Sequence, residues 1–445
     1  MILLFLATAL AADPASPPGS PDAPAGLPSD AAENPRLTLA DAMLLAVTRN
    51  PDRTSAALAE QIAAISARRA RLDRATAAVS TTAGAGVDLL RPWGGPTTTT
   101  EGAPWSASVS AGLPLYAGGA IRAGIDSADA GAAIATIDRQ ITERTLVRAA
   151  YSAYWNIKGF EAQIAASAEA LDLTQQSLDV ILARANAELA AGIDVNRSKV
   201  EVLSQQNNLI AQRVALYESK QELLRLLALP GDQITLVDDP PEPATGKVTL
   251  PDNFGERRPE LARRRQQAAQ ADAAIRQARS AILPSVGLTA SAGAGSTAIA
   301  PTVAEQLRPT VSASVGVQAS WNPFDLWRTP QRVAQARLGA EQVDAATEST
   351  RNQLRAEIRS AAATVDALRE RAPLIAAQVG LARDNLKIVQ SLYAQGSASI
   401  LDLFNAQAAF RAARTQEATL RVQLATAESD LRWLLGDDLA AGDSP

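Results

Sequence analysis

Laid on itself at an offset of 208, the 445-residue chain brings Pro51 onto Pro259, Tyr116 onto Phe324, Asp194 onto Asp402 and Leu223 onto Leu431. A period this long marks a duplicated domain, because solenoid units repeat every ~20 to 50 residues. Each half runs through one plan. A helical stretch leads into two alternating segments around a Gly/Pro/Thr-rich loop, then a very long helical stretch, a break and another helix. The first alternating segment needs a one-residue slip, with Gly84 on Gly293. The halves are expected at 37–229 and 256–436, with a tail at 437–445. Between them, 230–255 holds Pro240, Pro241, Pro243 and Pro251 and reads as a linker.

The alternating segments have a period of two. From Val79 to Leu89 and from Trp105 to Leu115, apolar residues interleave with Ser, Thr and Gly, and Val286–Ala294 and Val311–Trp321 repeat the pattern. Strands of about ten residues with one apolar and one small polar face fit tilted membrane strands. Half-buried hairpins on a soluble core share that periodicity. The polar faces carry almost no Lys or Glu, as if they lined water inside a pore. Trp93, Trp105, Tyr116, Trp321, Phe324 and Trp327 gather in or beside these segments, where strand ends would meet a membrane interface. Four strands cannot close a barrel, which takes about eight, and open edges are not tolerated in lipid. A spanning chain must therefore associate with copies of itself.

No proline interrupts Ala120 to Glu188, and at ~1.5 Å per residue such a helix would span roughly 100 Å. The following helix places Val195, Val202, Leu209, Leu216 and Leu223 seven residues apart. In the second half Leu403, Phe410, Glu417, Leu424 and Leu431 match them, with Ala406, Ala413, Leu420, Ala427 and Leu434 as companion seam. Sevenfold spacing predicts left-handed coiled-coil packing. Pro373, inside the second long helix (Pro330 to Gln395), predicts a kink or local break.

Histidine and cysteine are both 0, which removes thiol nucleophiles, His-based triads, disulfides and the metal sites built on those ligands. No phosphate loop or nucleophile-base pattern suggests an enzyme on a helical frame, and no cofactor is expected. The net charge of -5 argues against nucleic acid, so Arg68-Arg69-Ala70-Arg71 and Arg263-Arg264-Arg265 read as solvated helix faces. Ile2 to Ala11 reads as a secretory h-region cleaved after Ala11, although no Lys or Arg precedes it. Residues 12–36, rich in Pro, Ala, Ser, Asp and Gly, read as a disordered lead. No later stretch is long and apolar enough for a membrane helix.

Three observations carry a resemblance: the duplicated plan, the strand-to-helix segment Gly112-Leu113-Pro114-Leu115-Tyr116-Ala117-Gly118-Gly119, and Tyr393-Ala394-Gln395-Gly396-Ser397-Ala398-Ser399-Ile400-Leu401-Asp402-Leu403, whose first-half counterpart is Gly192-Ile193-Asp194-Val195. In this order, across Leu37 to Gly436, the chain resembles the TolC family of trimeric outer-membrane efflux ducts. The resemblance implies a mostly α protein with a membrane β-barrel portion, in which a duplicated four-strand, long-helix protomer forms a homotrimeric α/β-barrel duct. It also implies the outer membrane of a Gram-negative bacterium with its lipid, an extension into the periplasm, a periplasmic adaptor protein and, through it, an inner-membrane transporter. The work would be efflux or type I secretion.

By the same resemblance Asp402 belongs to a ring at the periplasmic gate, and Asn405 stands where the family has a second aspartate. Asp194 and Tyr393 match two members of the lock that keeps the tips closed. Its arginine is replaced by Ala398, which implies a weaker closed state. The adaptor-contact tips are Gln395, Gly396 and Ser397 in one half and Ala187, Glu188 and Leu189 in the other, where glutamate replaces glycine. An acid in a helix's first turn is also favoured by the dipole alone, with no gate. A soluble periplasmic coiled-coil adaptor or scaffold would share the long helices but not the lipid-compatible strands.

Overall fold

A computed structural model describes residues 35–73, 76–83, 86–90, 98–102, 105–188, 191–241, 246–251, 258–296, 310–321 and 327–436. The expected signal segment, nearly all of the lead, the tail, Trp93, Leu189 and Phe324 lie outside the described residues.

The helices start where local chemistry supplies caps. Thr38 and Asp41 form a capping box at α1 (Leu39–Arg49). Asn50 accepts the Asp52 N–H at 2.8 Å to cap α2 (Pro51–Leu72), whose first residue is proline. The same Asn50 donates its amide to the Leu226 carbonyl at 2.8 Å, fastening the α1–α2 corner to the end of α4 (Gly192–Leu226). In the second half α5 (Pro259–Ser280) takes the place of α2.

Strand β2 (Thr76–Ala83) pairs with β5 (Trp105–Ala117), β5 with β7 (Ser285–Ser296), and β7 with β8 (Thr310–Ser320), all antiparallel. The β5–β7 ladder thus joins the two hairpins into one four-stranded sheet with β2 and β8 at its edges. Further along the first hairpin, β3 (Gly86–Leu90) pairs antiparallel with β4 (Thr98–Gly102) in the register that β2 keeps with β5, Ala83 facing Trp105 and Gly86 facing Gly102, while Gly84 lies outside the described residues.

The register sorts the side chains by polarity. Val109, Ala292 and Ala313 form one cross-strand row and Leu113, Leu288 and Val317 another, while Ser110, Ser291 and Ser314 line up on the opposite face. The hydroxyls of Ser291 and Ser314 lie 2.8 Å apart, so the polar face partly satisfies itself. Among the described residues no element covers the apolar face of β8: Val315 is 78% exposed and Val317 69%. Tyr116, Trp321 and Trp327 are exposed as well.

The turn from β5 into α3 (Ala120–Asn186) requires Gly118, whose φ is +59. A Cβ there would stand 2.8 Å from both the Leu283 Cβ and the Ser280 carbonyl oxygen, so only glycine fits. The matching helix is α6 (Thr329–Ala394), followed by α7 (Ile400–Leu435). The break expected at Pro373 does not occur, and α6 remains helical through it. Neighbouring residues pack the helix against α7, which holds the turn despite the missing N–H.

Two cores hold the helices. At the waist, Leu146, Tyr151, Tyr154 and Ile157 of α3 bury against α1, the end of α4 and a short parallel pair, β1 (Arg36–Leu37) with β6 (Thr235–Leu236). The expected linker therefore contains a strand. Tyr154 donates to the Leu37 carbonyl at 3.3 Å and accepts the Asp238 N–H at 2.9 Å, and burial raises its phenol pKa to about 12. The second core is the α6–α7 seam of Ile358, Val365, Leu386, Leu403, Phe410 and Leu424. Below the waist the packing runs α4 on α3, α3 on α7 and α7 on α6, and above it α2 on α3, α3 on α5 and α5 on α6. Arginines from the two basic clusters, Arg71 and Arg263, reach Asp129 and Asp138 of α3 at 2.8 and 2.9 Å.

Candidate functional site: the helical tips

The two long hairpins reverse with one backbone pattern. In the second half the Gln395 N–H donates to the Ser391 carbonyl and the Gly396 N–H to the Tyr393 carbonyl, while Ser397 donates to Leu392 at 2.8 Å. That satisfies the carbonyls at the end of α6 and needs a left-handed residue, Gly396 with φ +80. In the first half Ala187 donates to Ala183 and Glu188 to Ala185, and Glu188 takes φ +60. The glutamate thus occupies the glycine's conformation, at the local cost a side chain carries there.

Asp402 lies three residues into α7 and forms a capping box with Ser399. The Ser399 hydroxyl donates to its carboxylate at 2.6 Å and the Ser399 N–H at 3.1 Å, while the Asp402 N–H donates back at 3.2 Å. These bonds hold the Asp402 carboxyl below the usual carboxylate range. Asp402 and Asn405 are both exposed, one turn apart on α7, on the face away from the buried Leu403, Ala406 and Phe410. The first half lacks this cap, because Ala191 stands where Ser399 does and offers no side-chain oxygen.

Tyr393 is only 5% exposed and receives a residue the sequence did not single out. Arg184, near the end of α3, sets its guanidinium 4.9 Å from the centre of the Tyr393 ring and donates to the Tyr393 carbonyl. Its Nη2 also lies 3.3 Å from where a Gly396 side chain would begin. Burial raises the Tyr393 pKa, with Arg184 pulling it down and the nearby Asp194 pushing it up. Arg184 of α3 thus packs on Tyr393 of α6 between the two tips, with Asp194 near enough to act on the Tyr393 phenol. A Ser177–Gln407 hydrogen bond of 2.6 Å and an Arg411–Glu201 ion pair of 3.1 Å tie the two hairpins together above it.

The fold has counterparts among solved structures. The chain is 20% identical to the outer-membrane channel OprN, with a TM-score of 0.76 and 90% of each chain covered. Against CusC, described through its transmembrane channel formation, identity is 18% and the TM-score 0.76, covering 90% of this chain and 92% of that one. The outer membrane protein VceC of Vibrio cholerae is similar at 18% identity and a TM-score of 0.74, covering 89% and 96%. The sequence model described as "Outer membrane efflux protein" matches residues 45–229 and 250–437, one stretch in each half. With both halves matched and the fold shared over nearly its whole length, the chain belongs to the outer membrane efflux protein family.

Proposed function

We propose that three copies of this chain close into one duct, a β-barrel in the outer membrane continued by a helical tunnel in the periplasm, which carries cargo outward for an efflux or type I secretion system. One observation carries the reading: a four-stranded sheet whose apolar face is uncovered and whose two edge strands lack outer neighbours among the described residues. In lipid the bare face is favourable and the bare edges are not, so copies must join β8 to β2 until the ring shuts. A soluble scaffold would leave that face in water. Helix α3, 67 residues long, would then reach about 100 Å below the membrane.

In this reading the tips Gln395, Gly396, Ser397, Ala187, Glu188 and Leu189 receive a periplasmic adaptor that links the duct to an inner-membrane transporter. The exposed face of Asp402 and Asn405 turns toward the threefold axis, so three carboxylates ring the entrance. Asp194 and Tyr393 hold the tips closed, with Arg184 as the cation of that lock. The chain performs no reaction on what passes. The test is fractionation and conductance: the protein partitions with outer membranes, needs detergent for release and conducts ions in planar bilayers as a trimer. Recovery as a soluble monomer without conductance would overturn the duct.

A further inference from the structure

We infer that the ring is sealed below the waist by one specific pair of helix faces, an apolar heptad row on α4 meeting a matching row on α6 of the next copy. This rests on the three-copy reading and adds which surfaces mate. In the order α4, α3, α7, α6, the two inner helices have partners on both sides and the two outer ones on one side. Exposure follows that order. Among the described residues, large apolar side chains left exposed on α3 and α7 come down to Val180 and Leu401.

The outer helices differ. Besides its buried seam at Val202 and Leu209, α4 exposes Val200, Leu203, Ile210 and Val214, spaced three, seven and four residues. That is a second a/d row, with Leu203 63% exposed. Helix α6 exposes Leu374, Leu381 and Ile388, seven apart, with Leu381 at 73%. A helix with two apolar seams is built to have a neighbour on each side.

The two rows also stand at one height. The Arg184–Tyr393 contact levels the ends of α3 and α6, and α4 begins just after the α3 tip. At ~1.5 Å per residue the α4 row from Val200 to Val214 lies about 12 to 33 Å above the tips, and the α6 row about 9 to 30 Å. Exposed Arg213 beside one row and exposed Glu370 beside the other carry opposite charge at similar heights. Both helices lie on the same sides of the molecule as the open strand edges, because α6 continues from β8 and α4 packs outside α3 as β2 pairs outside β5. One head-to-tail interface then runs from the sheet to near the tips, and the occupant it fits is a second copy of this chain.

The chain has no cysteine, so the seam can be read by introduced pairs. Leu203→Cys and Leu381→Cys together, oxidised in membranes, should turn the monomer band into covalent dimers and trimers, and neither alone should. The pair Leu203→Cys with Ile388→Cys checks a shift of one heptad. If trimers form and conduct but neither pair cross-links, the seam is wrong and the duct stands. A wild-type protein that is monomeric and silent in bilayers ends both. Should the cysteine variants fail to assemble, charge exchange decides: Leu203→Arg or Leu381→Glu alone should lose the trimer and the double variant regain it. A trimer untouched by either single change overturns the pairing.

Discussion

Asp402 has two roles that can be separated. Its carboxylate caps α7 through Ser399, and its charge faces outward where copies would converge. Ser399→Ala removes the cap and should cost about 1 kcal/mol of stability, read by thermal unfolding in detergent, while leaving the charge in place. Asp402→Ala removes both, so block of conductance by divalent cations from the periplasmic side should weaken in that variant and persist in Ser399→Ala. Equal block in all three proteins would place the constriction elsewhere. Arg184 shows where sequence comparison loses information. Its partner Tyr393 is 209 positions away, and the internal repeat aligns Arg184 with Leu392, so neither spacing nor repetition points to it. The places of the two tip turns were legible because short segments, Gly192-Ile193-Asp194-Val195 and Ile400-Leu401-Asp402-Leu403 among them, recur in order. Glu188 was legible for the same reason, since the tip's geometry repeats even where its glycine does not.

At the scale of elements, the long helices were readable almost to their ends because an unbroken 3.6-residue pattern has few competing interpretations. The pair β1–β6 was not, since a two-residue strand has no period to detect. Pro373 does not break the helix, because a proline removes one hydrogen bond whereas packing along a 66-residue helix supplies many contacts. Pro373→Ala should therefore stabilise α6, by up to about 3 kcal/mol, seen as a higher unfolding temperature. A pH effect belongs to the α2–α3 contact. Glu60 accepts the Thr136 hydroxyl at 2.8 Å and pairs with Arg139 at 2.6 Å, and these bonds, Thr136 first, lower its pKa against the opposing effect of partial burial. A carboxyl lowered by folding contributes fully above its unfolded pKa of about 4.3 and loses that contribution as pH falls through the folded value. Below about pH 4 the unfolding temperature of the native protein should drop more steeply than that of Glu60→Gln.

For the whole molecule, the sheet's two faces make opposite demands. Val315→Arg would place a cation on the bare apolar face, which at mid-bilayer costs about 2–4 kcal/mol, so the amount of trimer recovered from outer membranes should fall. Ser314→Lys, one residue away on the hydroxyl face, should assemble normally and shift single-channel selectivity toward anions. If the two variants exchanged outcomes, the sheet would be inside out. The order of elements in each half could be inferred from the duplication, but the β5–β7 ladder that fuses the halves could not, because strand partners well over a hundred residues apart, such as Trp105 and Ser296, leave no local trace.

From Ser106 to Gly112 on β5, and along the same face of β7 and β8, the wall offers hydroxyls, glycine hydrogens and a single amide, Gln318, with no ionisable group. A passage coated this way has little means of telling one solute from another by sign. In the proposed duct a solute crossing this stretch of wall would meet no fixed charge, so a preference between passengers by sign would be exercised outside it.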